Sequence, residues 1–167
     1  MIPRDMVQLR TLDPAARASA LEIWAECDAL LDGTGYCLSL AGPSSCLRTF
    51  EEQAALWAIG RRLVDGQWML DPAQGPIVTK CDGVRHKSRH QSGRAVDCGI
   101  REVAPALGMG RFWYDEPDSP SRARGLFCQV VGAFVKHGWR WGGEWKSFPD
   151  RNHFELPAPK PAKGGPA

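Results

Sequence analysis

Two stretches far apart in the chain constrain what it can fold into. One is Ser88-Arg89-His90-Gln91-Ser92-Gly93-Arg94-Ala95-Val96-Asp97, and the other is Asp150-Arg151-Asn152-His153-Phe154-Glu155. A fold that uses them together must bring both to one place. Between them they offer two imidazoles and a carboxylate as metal ligands, with a second carboxylate just ahead of His153. A catalytic zinc takes three protein ligands and keeps its fourth position open for water, and a free carboxylate beside it serves that water. The whole chain holds only 4 histidines, so two in such settings carry weight. The pattern predicts a zinc hydrolase.

The surrounding sequence predicts how these residues are delivered. Asp13-Pro14 starts a helix, with a capping carboxylate followed by proline at the first helical position. Leu21, Trp24, Ala25 and Leu31 continue it at helical spacing to Gly33 and Gly35. Tyr36 to Leu40 reads as a strand. Thr49 and Glu52 form a capping box for a second helix, extended through Leu56, Ile59 and Leu63 to Gly66. Arg48 therefore stands just before a helix start, either as a solvated arginine beside a cap or as an anion-binding group.

Pro76 to Lys80 and Ala95 to Ile100 read as strands, with a polar, basic loop from Cys81 to Gly93 between them. Strand alternation puts Asp97 on the face opposite Val96 and Cys98. Gly93 permits the close turn that brings His90 and Asp97 to one metal. Arg101 to Pro120 reads as an irregular excursion, Ser121 to His137 as a third helix, and Trp139 to Trp141 and Asn152 to Leu156 as closing strands. The breaker-rich segment 157–167 reads as a disordered tail, which leaves one domain over 1–156.

Composition bounds the partners. The 167 residues are 43% hydrophobic, enough for one core. A net charge of +2, without a block of like charges, gives no argument for nucleic acid. No apolar run is long enough for an integral membrane segment, and Met1 to Gln8 lacks the apolar core of a secretory signal. The expectation is a monomer made in the cytoplasm. Cys27, Cys37, Cys46, Cys81, Cys98 and Cys128 include no Cys-x-x-Cys pair, so free thiols are expected. A thiolate zinc site at Cys81 or Cys98 is the alternative.

The pattern Ser-x-His-x-x-Gly-x-Ala-x-Asp followed by Asp-x-x-His-Phe-Glu resembles the zinc D-Ala-D-Ala carboxypeptidase superfamily. That group includes VanY-type carboxypeptidases, VanX-type dipeptidases and phage L-alanyl-D-glutamate endopeptidases. Arg48-Thr49-Phe50-Glu51-Glu52-Gln53, Leu56-Trp57-Ala58-Ile59-Gly60-Arg61 and the run from Gly142 to Asp150 look most like the phage endolysin branch. The likeness runs from about Leu12 to Leu156. It implies that His90, Asp97 and His153 bind Zn2+, that Asp150 is the general base, and that Arg48 stabilises negative charge on the substrate. It also implies an α+β fold, with a small, mainly antiparallel sheet carrying the zinc site and helices packed against it.

Plainer readings stand beside these roles. Asp97 is either a carboxylate bonded to backbone amides or a ligand, since a buried carboxylate is expensive unless paired or metal-bound. Asp150 is either a turn residue after Pro149 or the base. Glu155 is either a simple strand carboxylate or the partner of a ligand imidazole N–H. Trp139, Trp141 and Trp145 either fill the core or line a groove, and Ser88 offers a weak substrate contact. His86 and His137 read as surface residues without partners.

The function expected is that of an endolysin cleaving the L-Ala–D-Glu bond of peptidoglycan stem peptides through a zinc-activated water, after holin-dependent release from the producing cell. The free carboxylate beside that bond would meet Arg48, Arg89 or Arg94. A D,D-carboxypeptidase or D-Ala-D-Ala dipeptidase would use the same centre. A non-catalytic zinc-stabilised binding module is the reading from another class, and it would need neither Asp150 nor Arg48.

Overall fold

The computed structural model describes residues 2–104 and 108–159. Among the described residues four α-helices and seven strands make an α+β fold: α1 (Pro3–Leu9), α2 (Pro14–Leu31), β1 (Tyr36–Leu40), α3 (Phe50–Ala58), β2 (Arg61–Val64), β3 (Gln67–Leu70), β4 (Ala95–Ala104), β5 (Gly108–Trp113), α4 (Ser121–Lys136), β6 (Arg140–Trp141) and β7 (His153–Glu155). The main sheet runs β1-β4-β7-β6, with β5 also on β4, and every pairing is antiparallel. The long strand β4 is its spine.

Local chemistry explains the boundaries. The Asp13 carboxylate accepts from the backbone N–H groups of Ala15 and Ala16 and starts α2. Thr49 and Glu52 close a full capping box on α3, with Glu52 Oε2 2.7 Å from the Thr49 amide. At the front, α1 enters through Pro3, and its fully buried Asp5 accepts from the Leu40 amide at 3.0 Å. That bond pins the end of β1, the strand beside β4.

The core lies between one face of the sheet and helices α2 and α4. Trp24, Phe127, Phe134 and Phe154 are fully buried there with Leu38, Ile100 and Val96. The rings of Phe134 and Phe154 stack with centroids 4.0 Å apart and carry α4 onto β7. Val96 and Cys98 point into this core, so Asp97 emerges on the other face, as alternation requires.

Several sequence expectations give way. The second helix stops at Ala58, and Leu63 belongs to a hairpin of β2 and β3. Its turn is Asp65-Gly66, both at positive φ (48° and 77°), the geometry of a type I′ turn. Pro76 to Lys80 forms no strand and lines the cavity wall from Val78 onward. The excursion from Arg101 is largely regular, because β4 continues to Ala104 and β5 returns to Trp113. His137 is partnered: its ring reaches Glu26 at 3.1 Å and Glu22 at 3.6 Å on α2. Of the expected tail, 160–167 lie outside the described residues, while the Pro157 carbonyl accepts from Arg94 at 2.6 Å. Among the described residues no helix is long and apolar enough to cross a membrane.

Candidate metal centre

His90 sits on a short 3-10 helix, Arg89–Ser92, whose start is fixed twice. Ser88 Oγ accepts from the His90 amide, and Gln91 Oε1 accepts from the Ser88 amide at 3.0 Å. Gly93 then turns the chain at φ 63°, and a Cβ there would lie 2.7 Å from the Asp13 nitrogen. Only glycine accepts both that conformation and that approach. The turn feeds β4, where Asp97 pairs directly with His153 of β7. Cross-strand pairing places these two side chains on the same face.

The three groups converge tightly. His90 Nε2 lies 3.1 Å from Asp97 Oδ1 and 3.2 Å from His153 Nδ1, and His153 Nδ1 lies 2.9 Å from Asp97 Oδ1. Both histidines are buried, and the Asp97 side chain is 18% exposed. The outer ring atoms fix the tautomers. His90 Nδ1 is 2.9 Å from the Cys46 carbonyl, which only accepts, so Nδ1 carries the proton and Nε2 presents its lone pair inward. His153 Nε2 faces the Glu155 carboxylate at 3.8 Å, which favours the proton on Nε2 and the lone pair on Nδ1.

Two lone pairs and a carboxylate oxygen thus face one another, an arrangement that needs a proton or a cation at its centre. The nitrogen and oxygen donor set, with an imidazole N–H anchored on the far side, fits zinc. Without a metal the proton dominates. Burial works against a charged His153, but the hydrogen bond to Asp97 and the facing Glu155 carboxylate outweigh it and push its pKa up to about 9. Burial also opposes the Asp97 charge, yet His90 and His153 hold that carboxyl well below the usual range.

Asp150 lines the same cavity, about 480 Å³ in volume. Its backbone is folded against Gly142, where a Cβ would lie 2.5 Å from the Asp150 carbonyl oxygen, so the Gly142-Gly143 turn is required for the placement. Burial raises the Asp150 carboxyl above its ordinary value, and the nearby Asp97 charge adds to the effect.

Arg48 joins the site, but its fork is committed. Nη2 is 3.3 Å from Asp97 Oδ2, and Nη1 donates to Gln53 Oε1 at 3.0 Å. Nε is buried without a partner. Gln53, fully buried, also donates to the Cys81 carbonyl at 2.8 Å and so locks α3 to the opposite loop. The sequence signal for this bracket is a glutamine on the buried side of a short helix.

Other expectations separate here. Glu155 lines the cavity beside His153, and its carboxyl is lowered chiefly by the facing ring. Ser88 and Arg89 also line it. Arg94 does not, because Asp13 (2.8 Å) and the Leu156 and Pro157 carbonyls hold it. Of the three tryptophans, Trp145 faces the cavity with its ring 5.1 Å from that of His153, while Trp139 is buried in the core. Trp141 packs against the core and donates to the Arg151 carbonyl. Cys81 lines the cavity but does not belong to the ligand cluster, and Cys98 is buried on the core face. All six cysteines are free thiols. His86 is exposed.

Residues 82–156 match the model of a family described as D-alanyl-D-alanine carboxypeptidase, a span that holds His90, Asp97, Asp150 and His153. Over that span the chain is similar to this family. A curated relative is the peptidoglycan L-alanyl-D-glutamate endopeptidase CwlK of Bacillus subtilis, 29% identical over 109 residues. Those residues are 65% of this chain and 56% of CwlK, so the chain spans about half the length of that relative. The crystal structure of the Serratia marcescens L-Ala D-Glu endopeptidase ChiX superposes with a TM-score of 0.50 at 21% identity, over 94% of this chain and 89% of that one. At that identity the likeness shows the fold alone.

Proposed function

We propose that the protein is a zinc-dependent peptidoglycan endopeptidase that cleaves the L-Ala–D-Glu bond of stem peptides. The observation that carries the reading is the convergence of two imidazole lone pairs and Asp97 in a cavity that also holds Asp150 and Arg48. His90, Asp97 and His153 would hold zinc and leave one position open. Zinc there would supply Lewis acidity toward the scissile carbonyl and toward water.

The chain's own groups do the remaining work. Asp150 takes the water proton on its carboxylate and passes it to the leaving amine, a task suited to a carboxyl whose affinity for protons is raised. Arg48 keeps Asp97 oriented through Nη2, and its fixed positive charge on the cavity wall offsets charge developing on the carbonyl oxygen. Glu155 orients the His153 ring. Trp145 shields one side of the site.

Both relatives are named as L-Ala–D-Glu endopeptidases, which supports that bond over others. So does a second cavity adjoining the first across Arg48 and Lys87, since an endopeptidase must accommodate chain on both sides of the cut. The family description favours a second reading, removal or splitting of D-Ala-D-Ala at the same centre. Digestion of purified muropeptides with mass analysis of the products distinguishes them: new D-Glu amino termini are expected, and free D-Ala alone would overturn the first reading. A lytic role in phage release from the cytoplasm belongs to the same proposal. It is tested by expressing the protein with and without a holin, with lysis expected only when the holin is present.

A further inference from the structure

Four cations line the main cavity, Arg48, Lys80, Lys87 and Arg89, and they differ in what already occupies them. Arg48 is held by Asp97 and Gln53. Lys80 donates to the Ser147 carbonyl and hydroxyl at 3.0 and 3.2 Å, and so ties together two loops of the cavity wall. Lys87 and Arg89 are exposed; neither side chain hydrogen-bonds a described residue, and Arg89 does no more than favour the charge of the nearby Glu155 carboxylate. They flank Ser88, whose reciprocal capping with Gln91 fixes the backbone of this lip. Gln91 also donates to the Gly83 carbonyl, and Arg48 N–H to the His90 carbonyl, so the lip is braced on both sides.

Two uncommitted cations on a braced lip next to a metal site are set to receive an anion, because the backbone entropy of positioning them is already spent on the fold. Lys87 also lines the adjoining cavity with Phe50 and Val84, so a substrate running through both cavities passes it. We propose that Lys87 and Arg89 read the free α-carboxylate of the residue that follows the scissile bond. The proposal rests on the L-Ala–D-Glu reading. D-Glu joined through its amine and its γ-carboxyl keeps that α-carboxylate next to the cut, and amidating it removes the charge while preserving the shape. The lip therefore selects the acid over the amide.

The test uses the full chain loaded with zinc and two N-acylated peptides, L-Ala-γ-D-Glu-L-Lys with the α-carboxyl free and the same peptide with it as the amide. The wild type is expected to cut the acid about ten- to a hundredfold faster in kcat/KM, the scale of a charge-assisted hydrogen bond. In Lys87→Gln/Arg89→Gln that ratio is expected to fall to about two or less, with zinc content unchanged. A wild-type ratio near one, or a ratio that survives the double substitution, overturns the proposal. If the wild type cuts neither peptide while releasing D-Ala from muropeptides, the L-Ala–D-Glu reading itself fails and the lip assignment falls with it.

Discussion

The cavity has two unlike walls. One is built on regular structure: His153 and Asp97 face each other across paired strands, and His90 rides a doubly capped turn locked into β4. Behind it lies the aromatic core, with Phe154 stacked on Phe134. The other wall is made of Val78 to Cys81 and Trp145 to Asp150, stretches without strand pairing. It is held by side chains, chiefly Lys80 on Ser147 and Gln53 on Cys81. Metal ligands demand placement to fractions of an ångström, which a sheet supplies. A peptide-binding wall needs shape and polarity, which loops can vary without disturbing the ligands.

That contrast breaks if the ligand wall tolerates change. His153→Ala should abolish both stoichiometric zinc binding and hydrolysis, and metal analysis after dialysis checks it. Retention of full metal would sink the ligand assignment. Phe154→Ala should destabilise the protein by about 3–5 kcal/mol through the lost stacking and the cavity left behind, measured by denaturant unfolding. A cost below about 1 kcal/mol would mean that the core does not brace the centre.

Smaller effects sharpen the comparison. Asp150→Asn should keep zinc and fold while turnover falls by roughly a hundredfold or more. Near-normal turnover would move the base elsewhere, with Glu155 and Glu144 next to be tested. Glu155→Gln should weaken zinc by about tenfold in a chelator competition, since only the orientation of His153 suffers. Lys80→Ala should leave thermal stability almost unchanged, because an exposed tie contributes about 1 kcal/mol or less, and should raise KM a few-fold. A large loss of stability there would mean that the loop wall is part of the core after all.

Particular residues show why some of this was legible in the sequence. Asp13-Pro14 and Thr49 with Glu52 are local signals, each satisfied within four residues, and both predicted helix starts are present. The Asp65-Gly66 hairpin was equally local, yet Leu56, Ile59 and Leu63 at helical spacing masked it. Gly60, at φ 73° with the Gly75 carbonyl where a Cβ would go, is where the helical pattern had to end. Pro76 to Lys80 had strand composition, yet it pairs with no strand. Composition cannot supply a partner strand.

By itself, then, the sequence determined the starts of α2 and α3 and the identity of the clustered donors, because each of these is written in residues close together or in the chemistry of side chains; the α+β class came with the resemblance, and α1 carried no signal that was read. Only the tertiary structure decided that Asp97 pairs with His153, which ring nitrogens face inward, and which arginines are occupied. Arg48 and Arg94 look alike in sequence to Arg89. Pairing with Asp97, and with Asp13 and two carbonyls, removes the first two from a free role, and such partners lie dozens of residues away.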